Sequence, residues 1–151
     1  MTKTMFLLVA CALASPAAQV PPPRIRAQQL VDEIRGRHPE ITGLELAASR
    51  SQNGICTTIA ATEVKEIGEK CDKDELTAIK TNQPFVEHKE DGFDITMPLH
   101  DASGAVIATV GMDFRLEPGK QQDAVVKQAR QIAAEFEKAI TTKSQLFEAV
   151  K

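Results

Sequence analysis

The sequence predicts an α+β domain: one sheet of five antiparallel strands, with a long helix before it, a short helix over it and a C-terminal helix after it. Three observations predict it. Five stretches alternate apolar and polar residues with the period of two that a strand imposes. Turn signals rich in Gly, Asp, Asn and Ser separate most of them, so neighbouring strands fold back on each other. An apolar stripe at helical spacing lies at each end, and both stripes have to be buried against something.

Ahead of the domain the chain reads MTKTMFLLVACALASPAAQ. Lys3 precedes an apolar run from Met5 to Ala14 and then small residues, the plan of a short secretory signal. Residues 1–18 are read as that signal, with cleavage after Ala14 or Ala18. The run falls short of the roughly 20 residues that a spanning helix needs. Leu8-Val9-Ala10-Cys11 resembles a bacterial lipobox, so lipidation of Cys11 stands as the alternative to a cysteine discarded with the signal. The expected location is periplasmic or secreted.

The formal net charge of the 151 residues is −3, and loss of Lys3 makes the remainder more acidic. Nucleic acids and anionic membranes call for a basic patch, so neither is expected as a partner. The absence of Trp and Tyr removes the usual stacking platforms. Two cysteines remain after the signal, Cys56 and Cys71, with no CxxC. In an oxidising compartment such a pair reads as a disulfide, worth about 3 kcal/mol for a loop of this length.

Val20-Pro21-Pro22-Pro23 closes a stiff link over residues 19–23, and Pro23 suits the first turn of a helix. From Arg24, Ile25, Ala27, Leu30, Val31 and Ile34 fall on one helical face. His38-Pro39 should end that helix, since a residue before proline is pushed out of the α region. In ITGLELAAS, Leu44, Leu46 and Ala48 alternate with Glu45, Ala47 and Ser49, a first strand. Asn53-Gly54 turns it into a second, residues 55–62.

Alternation vanishes between Glu63 and Gln83. Asp72 is placed to cap a short helix, with Glu75 three residues on and Leu76 and Ile79 at helical spacing. The disulfide would fasten the start of this helix to the second strand. Strand three runs from Pro84 to Lys89, strand four from Phe93 to His100 and strand five from Ala105 to Arg115. Glu90-Asp91-Gly92 and Asp101-Ala102-Ser103-Gly104 are the turns between them. The last helix starts near Gln121 and carries Val125, Ala129, Ile132, Ala133, Phe136 and Ile140 on one stripe. The domain is thus bounded at 24–142, with residues 143–151 extending the last helix or trailing as a tail.

One face of strands four and five carries Met97, Leu99, Val106, Ala108, Val110, Met112 and Phe114 and is core. The opposite face is neither core nor an ordinary wet surface. Closing the first hairpin about Glu90-Asp91 pairs Val86 with Ile95, sets Phe85 opposite Thr96 and sets Glu87 opposite Asp94. Closing the second about Ala102-Ser103 sets Thr96 opposite Thr109 and Asp94 opposite Gly111. The face then gathers Phe85, Asp94, Thr96, Ile107, Thr109, Gly111 and Asp113. Roofed by segment 63–83, it has the makings of a small-molecule pocket. Asp94, Thr96 and Thr109 would be its polar anchors and Phe85 a wall. The plain alternative is a half-exposed sheet face.

The stretch PLHDASGAVIATVGMDF, through Pro98, Leu99, Asp101, Gly104, Val106, Ala108, Val110, Gly111 and Asp113, resembles the closing hairpin of the extracellular PAS-like sensor domains called Cache or PDC domains. The helix from Arg24 and the segment IAATEVKEIGEKCDKDEL are similar to parts of such domains. The resemblance implies a PAS-like fold and a ligand that is an amino acid, a carboxylate or another small metabolite. It departs from the family in lacking flanking transmembrane helices and a following effector module, and the arginine and tyrosine anchors of the amino-acid binders have no counterpart.

His38, His88 and His100 show no metal-ligand spacing, and no nucleophile–histidine pairing or phosphate-cradling loop occurs, so neither a metal, a cofactor nor catalysis is expected. The expected function is an exported small-molecule-binding, sensor-type domain without its own effector. Its ligand would be an amine, an amino acid or an organic acid, with an amine first because Asp94 could pair with it unless Lys80 neutralises Asp94. The alternative is a structural or protein-interaction module that docks a membrane receptor or another envelope protein.

Overall fold

A computed structural model describes residues 24–150. The signal reading on 1–18, Cys11 with it, and the proline link at 19–23 lie outside the described residues.

Eight principal elements follow in order. They are α1 (Arg26–Arg37), β1 (Ile41–Ala48), β2 (Thr57–Ala61), α2 (Lys73–Thr81), β3 (Phe85–Lys89), β4 (Gly92–His100), β5 (Val106–Arg115) and α3 (Gln122–Ala139). The strands form one antiparallel sheet in the order β2-β1-β5-β4-β3. α1 ends where Pro39 forbids another helical residue before it. Its buried residues are Ala27, Leu30, Val31 and Ile34. α3 buries Val125, Ala129, Ile132, Ala133 and Phe136. Both helices lie on the sheet face of Ile95, Met97, Leu99, Val110, Met112 and Phe114, and together they form the core. Burying one side chain the size of Phe136 contributes on the order of 1.5 to 3 kcal/mol.

Residues 143–150 neither prolong α3 nor trail away. The chain becomes extended at Ile140, and a capping box between Thr142 and Gln145 starts a 3₁₀ turn over Lys143–Phe147. Leu146 is fully buried in it. Beyond it Ala149 bridges to Ile25, and Arg26 N donates to Glu148 O at 2.8 Å. The domain therefore closes on itself, its first helix tied to its last residues.

The β3–β4 register is the predicted one: Phe85 pairs with Thr96, Val86 with Ile95 and Glu87 with Asp94. The β4–β5 register is not. Thr96 lies opposite Gly111, Asp94 opposite Asp113, and Thr109 opposite Pro98. The cause is the turn. Asp101 Oδ1 accepts from the N–H of Ser103 at 2.9 Å and of Ala105 at 3.1 Å, and Gly104 takes a φ of +82°. This lengthens the loop and puts a bulge between Leu99 and His100. The slip is two residues, so side chains from Asp94 to Leu99 and from Ala108 to Asp113 keep their predicted faces, while past the bulge Val106, expected in the core, is only half-buried.

Cys56 and Cys71 form the predicted disulfide, with Cα atoms 5.4 Å apart. After β2 the chain makes a 3₁₀ turn over Val64–Glu66 and returns along the outer edge of β2. There Thr58 N donates to Glu69 O at 2.9 Å and Cys71 N to Cys56 O at 3.1 Å. The returning segment satisfies backbone groups that an open edge strand would expose, and it delivers α2 onto the second sheet face.

Candidate functional site

α2 covers the second face, lying over β3, β4 and β5. Its start is fixed twice, by the disulfide at Cys71 and by a full capping box between Asp72 and Glu75. The helix turns Glu75 and Ala78 inward and leaves Leu76 and Ile79 outward, 52% and 36% exposed. The sequence reading had Leu76 and Ile79 as the stripe. The capping box explains the difference, because it holds the Glu75 side chain back against the helix start, on the inward side. Ala78 adds almost no bulk, so the helix backbone lies close on the sheet.

The roofed pocket expected beneath α2 is accordingly filled. Thr96, Ile107 and Thr109 are all buried, Thr109 completely. Thr109 Oγ1 has no hydrogen-bond partner among the described residues. Phe85 is half-buried at the margin, with Lys73 Nζ of α2 5.9 Å from its ring centroid. Of the predicted site residues, Asp94 and Asp113 line the larger open space, beside the helix rather than beneath it, while Ile107 lines a smaller one of about 190 Å³ with Cys56 and Ile79.

The space beside the helix is a groove of about 350 Å³. Its floor is β1, β4 and β5, through Gly43, Glu45, Asp94, Gly111 and Asp113, and its wall is the segment after β2, through Glu63, Glu66 and Glu69. Among the described residues, Lys89 is the one basic residue lining it. Lys89 Nζ donates to Asp94 Oδ2 at 2.8 Å and to Asp113 Oδ1 at 3.3 Å. Asp94 is therefore neutralised from β3, not from Lys80 of the roof. The hydrogen bond from Lys89 to Asp94, with the nearby Asp113 charge, holds the ammonium well above the usual lysine range. Burial pushes the Asp94 carboxyl up, and Asp113 and Glu87 add to this against the pull of Lys89.

Glu45 is the groove residue that the sequence reading passed over. It lies opposite Gly111 across the β1–β5 pair. A Cβ on Gly111 would stand 2.9 Å from Glu45 Oε1, so the glycine makes room for this carboxylate and not for Asp94. Thr58 Oγ1 donates to Glu45 Oε2 at 3.3 Å. Glu45 and Glu75 also hydrogen-bond through their carboxyls. Burial raises Glu45, with Glu66 and Asp94 adding to the rise. Burial first, and then Asp72, push Glu75 up to about 8. One signal in the sequence pointed here: Glu45 is a charged residue among apolar ones on a central strand. Glu63, Glu66 and Glu69 sit in a segment without periodicity, where no pattern assigned them a face.

Asp74, Glu87 and Asp94 bring one carboxylate oxygen each within 4.8 Å of one another. Lys89 already supplies positive charge at Asp94, and we assign no metal to the trio. The arrangement as a whole is a negatively charged groove suited to cationic groups.

Among solved structures the chain is similar to a protein described as a GAF sensor from Burkholderia vietnamiensis, at 13% identity and a TM-score of 0.55 over 76% of this chain and 74% of that one. It is similar to the Agobacterium tumefaciens repressor BlcR at 9% identity and 0.53, covering 78% and 68%. An IclR-family transcriptional regulator from a Rhodococcus species matches at 13% identity and 0.51, covering 85% and 67%. No family model and no curated protein matches the sequence. These likenesses are of fold. The domain has the PAS/GAF-like α+β architecture, and none of these three neighbours is described as the narrower Cache or PDC type.

Proposed function

We propose that the chain is an exported, sensor-type domain that binds a small cationic amine in the acidic groove beside α2. The groove carries this reading: carboxylates of Glu45, Glu63, Glu66, Glu69, Asp94 and Asp113 surround about 350 Å³, and the single lysine among them is spent on Asp94 and Asp113. An ammonium meeting the half-buried carboxylates of Glu45 and Asp94 forms the stronger, charge-assisted kind of hydrogen bond. The disulfide supports an oxidising compartment, and the Met5–Ala14 run supports export. The resemblance of the Pro98–Asp113 hairpin to Cache domains agrees with both.

The test is a thermal-shift screen of monoamines, diamines, amino acids and carboxylic acids of similar size. Amines at 100 times their Kd should add about 2.7 kcal/mol of stability. Glu66→Gln should weaken the effect. A response confined to carboxylic acids overturns the reading.

A second reading has its own observation. The face under α2 is closed, while Ile55, Val64, Ile67, Leu76 and Ile79 stay exposed. This favours a module that docks a membrane receptor or another envelope protein. It holds if no small molecule stabilises the protein while Leu76→Glu with Ile79→Glu abolishes binding to envelope membranes.

A further inference from the structure

Glu75 sits at the only point where α2 presses a titratable side chain into the sheet among the described residues. It is 7% exposed. Its Oε2 accepts from the backbone N–H of Asp72 at 2.8 Å, and its carboxyl meets those of Asp72 and Glu45. Glu75 thus has a carboxyl on either side of it, and a charge on all three would set like charges together where Glu75 is buried, so Glu75 holds a proton when docked. Among the described residues, no lysine or arginine forms an ion pair with Glu45, Asp72 or Glu75. The other charges around the cluster are Glu66 in the turn before α2, Asp74 on α2 itself, Asp94 on β4, Asp113 on β5, and Glu87 and Lys89 on β3. Lys89 acts on Asp72 only through space, because its hydrogen bonds go to Asp94 and Asp113.

We infer that α2 is a proton-gated lid, which rests on the sheet while Glu75 holds a proton shared with Glu45 and Asp72 and lifts when that proton is lost.

The helix is built to move as a unit. One end is tethered through Cys71 to Cys56, and the other ends at Asn82 in a left-handed turn of φ 53°, with its Oδ1 2.6 Å from His100 Nε2. Between these anchors the helix buries only Glu75 and Ala78. Apolar contact holding it down is therefore slight, and the carboxyl cluster decides. Lifting it would uncover Thr96 and Thr109, the two hydroxyls that the closed lid seals off. No ligand is needed for the device to work.

The sign follows from the docked and undocked states. An undocked Glu75 titrates near the ordinary value of about 4.3, whereas the docked one titrates near 8. Across that interval the docked state holds one more proton, so docking weakens as pH rises. Below the interval the lid is fully favoured, and above it the loss is complete.

Amide hydrogen exchange of the full-length, disulfide-intact protein from pH 5 to 9, corrected for intrinsic rates, reads the opening of α2 directly. The opening constant of the α2 amides should rise up to tenfold per pH unit and level off above pH 8, while α3 amides do not follow it. Glu75→Gln keeps the capping box, because glutamine accepts from the Asp72 N–H equally well, and should make α2 opening independent of pH. The carbon-13 shift of the Glu75 carboxyl in the unaltered protein gives a measure free of substitution, with a midpoint near 8 in step with the α2 amides. The inference is overturned by pH-independent opening in the parent, by a retained slope in Glu75→Gln, or by a Glu75 midpoint in the ordinary carboxylate range.

Discussion

Gly111 lies directly opposite Glu45 in the β1–β5 pair, and it is a glycine because the Glu45 carboxylate occupies the space a Cβ would need. The clash would involve Glu45 Cγ at 3.0 Å as well as Oε1 at 2.9 Å, so turning the carboxylate away does not relieve it. Gly111→Ala should therefore lower stability by about 1 kcal/mol, the small-to-large penalty outweighing the few tenths gained in the unfolded chain. Glu45→Ala in the same chain removes the clash. The double variant, measured by urea denaturation, should be more stable than the two single effects added together. Strict additivity would mean that the two residues do not compete for space.

Lys89 stands between Asp94 and Asp113, which face each other across β4 and β5. Without the ammonium, two like charges are left directly opposed, an arrangement that destabilises a strand pair. Asp94 is already raised in the folded state, by burial first. A raised carboxyl contributes stability below its unfolded value and loses it as pH climbs through its folded value. Lys89→Met raises Asp94 further. The stability gap between parent and variant should be narrow at pH 4 and open by pH 7. Lys89 is 42% exposed, so solvent screening keeps that gap at or below about 1 kcal/mol. Adding Asp113→Asn should close it, as read by denaturant midpoints at the two pH values.

The disulfide bears unequally on the two halves of the sheet cover. Its loop spans 15 residues and contains the whole of the acidic wall, Glu63 to Glu69. Replacing both cysteines with alanine should cost about 3 kcal/mol. Hydrogen exchange should show the loss first in α2 and the wall, with the β3–β4–β5 meander retaining protection. Uniform loss across both regions would show that the bridge only stabilises the fold globally.

The elements were legible where one local rule governs. The two-residue turn at Glu90-Asp91 fixed the β3–β4 register, Pro39 ended α1, and Asp72 with Glu75 marked the start of α2. The β4–β5 register was off by two because Asp101 organises a longer turn than Ala102-Ser103 alone implied, a preference expressed through hydrogen bonds rather than composition. The face survived because the slip was even. The site was less legible. Glu75 served one visible purpose as a capping residue, and nothing local revealed that its carboxyl also points into the sheet. The acidic wall comes from a segment whose conformation is set by pairing with the edge of β2, a tertiary choice that leaves no period behind. The strand order, with β1 beside β5, likewise depends on contacts between the two ends of the chain.

Thr109 gives the last test of the second face. Its side chain is completely buried between Pro98 of β4 and Ala47 of β1, and its hydroxyl lacks a partner. As a pocket anchor it would have to reach a ligand, but with α2 down it is sealed from the groove. Burying a hydroxyl without a hydrogen bond is unfavourable by roughly 1 to 3 kcal/mol in proteins. Thr109→Val keeps the shape and removes the orphaned group. It should raise the stability of the closed domain by about 1 kcal/mol in denaturant unfolding, and amines should stabilise the variant as much as the parent, because the groove does not include this side chain. A loss of stability instead would show that the hydroxyl is satisfied beneath the helix, by a bound water or a ligand, and the closed face would then be a site in its own right.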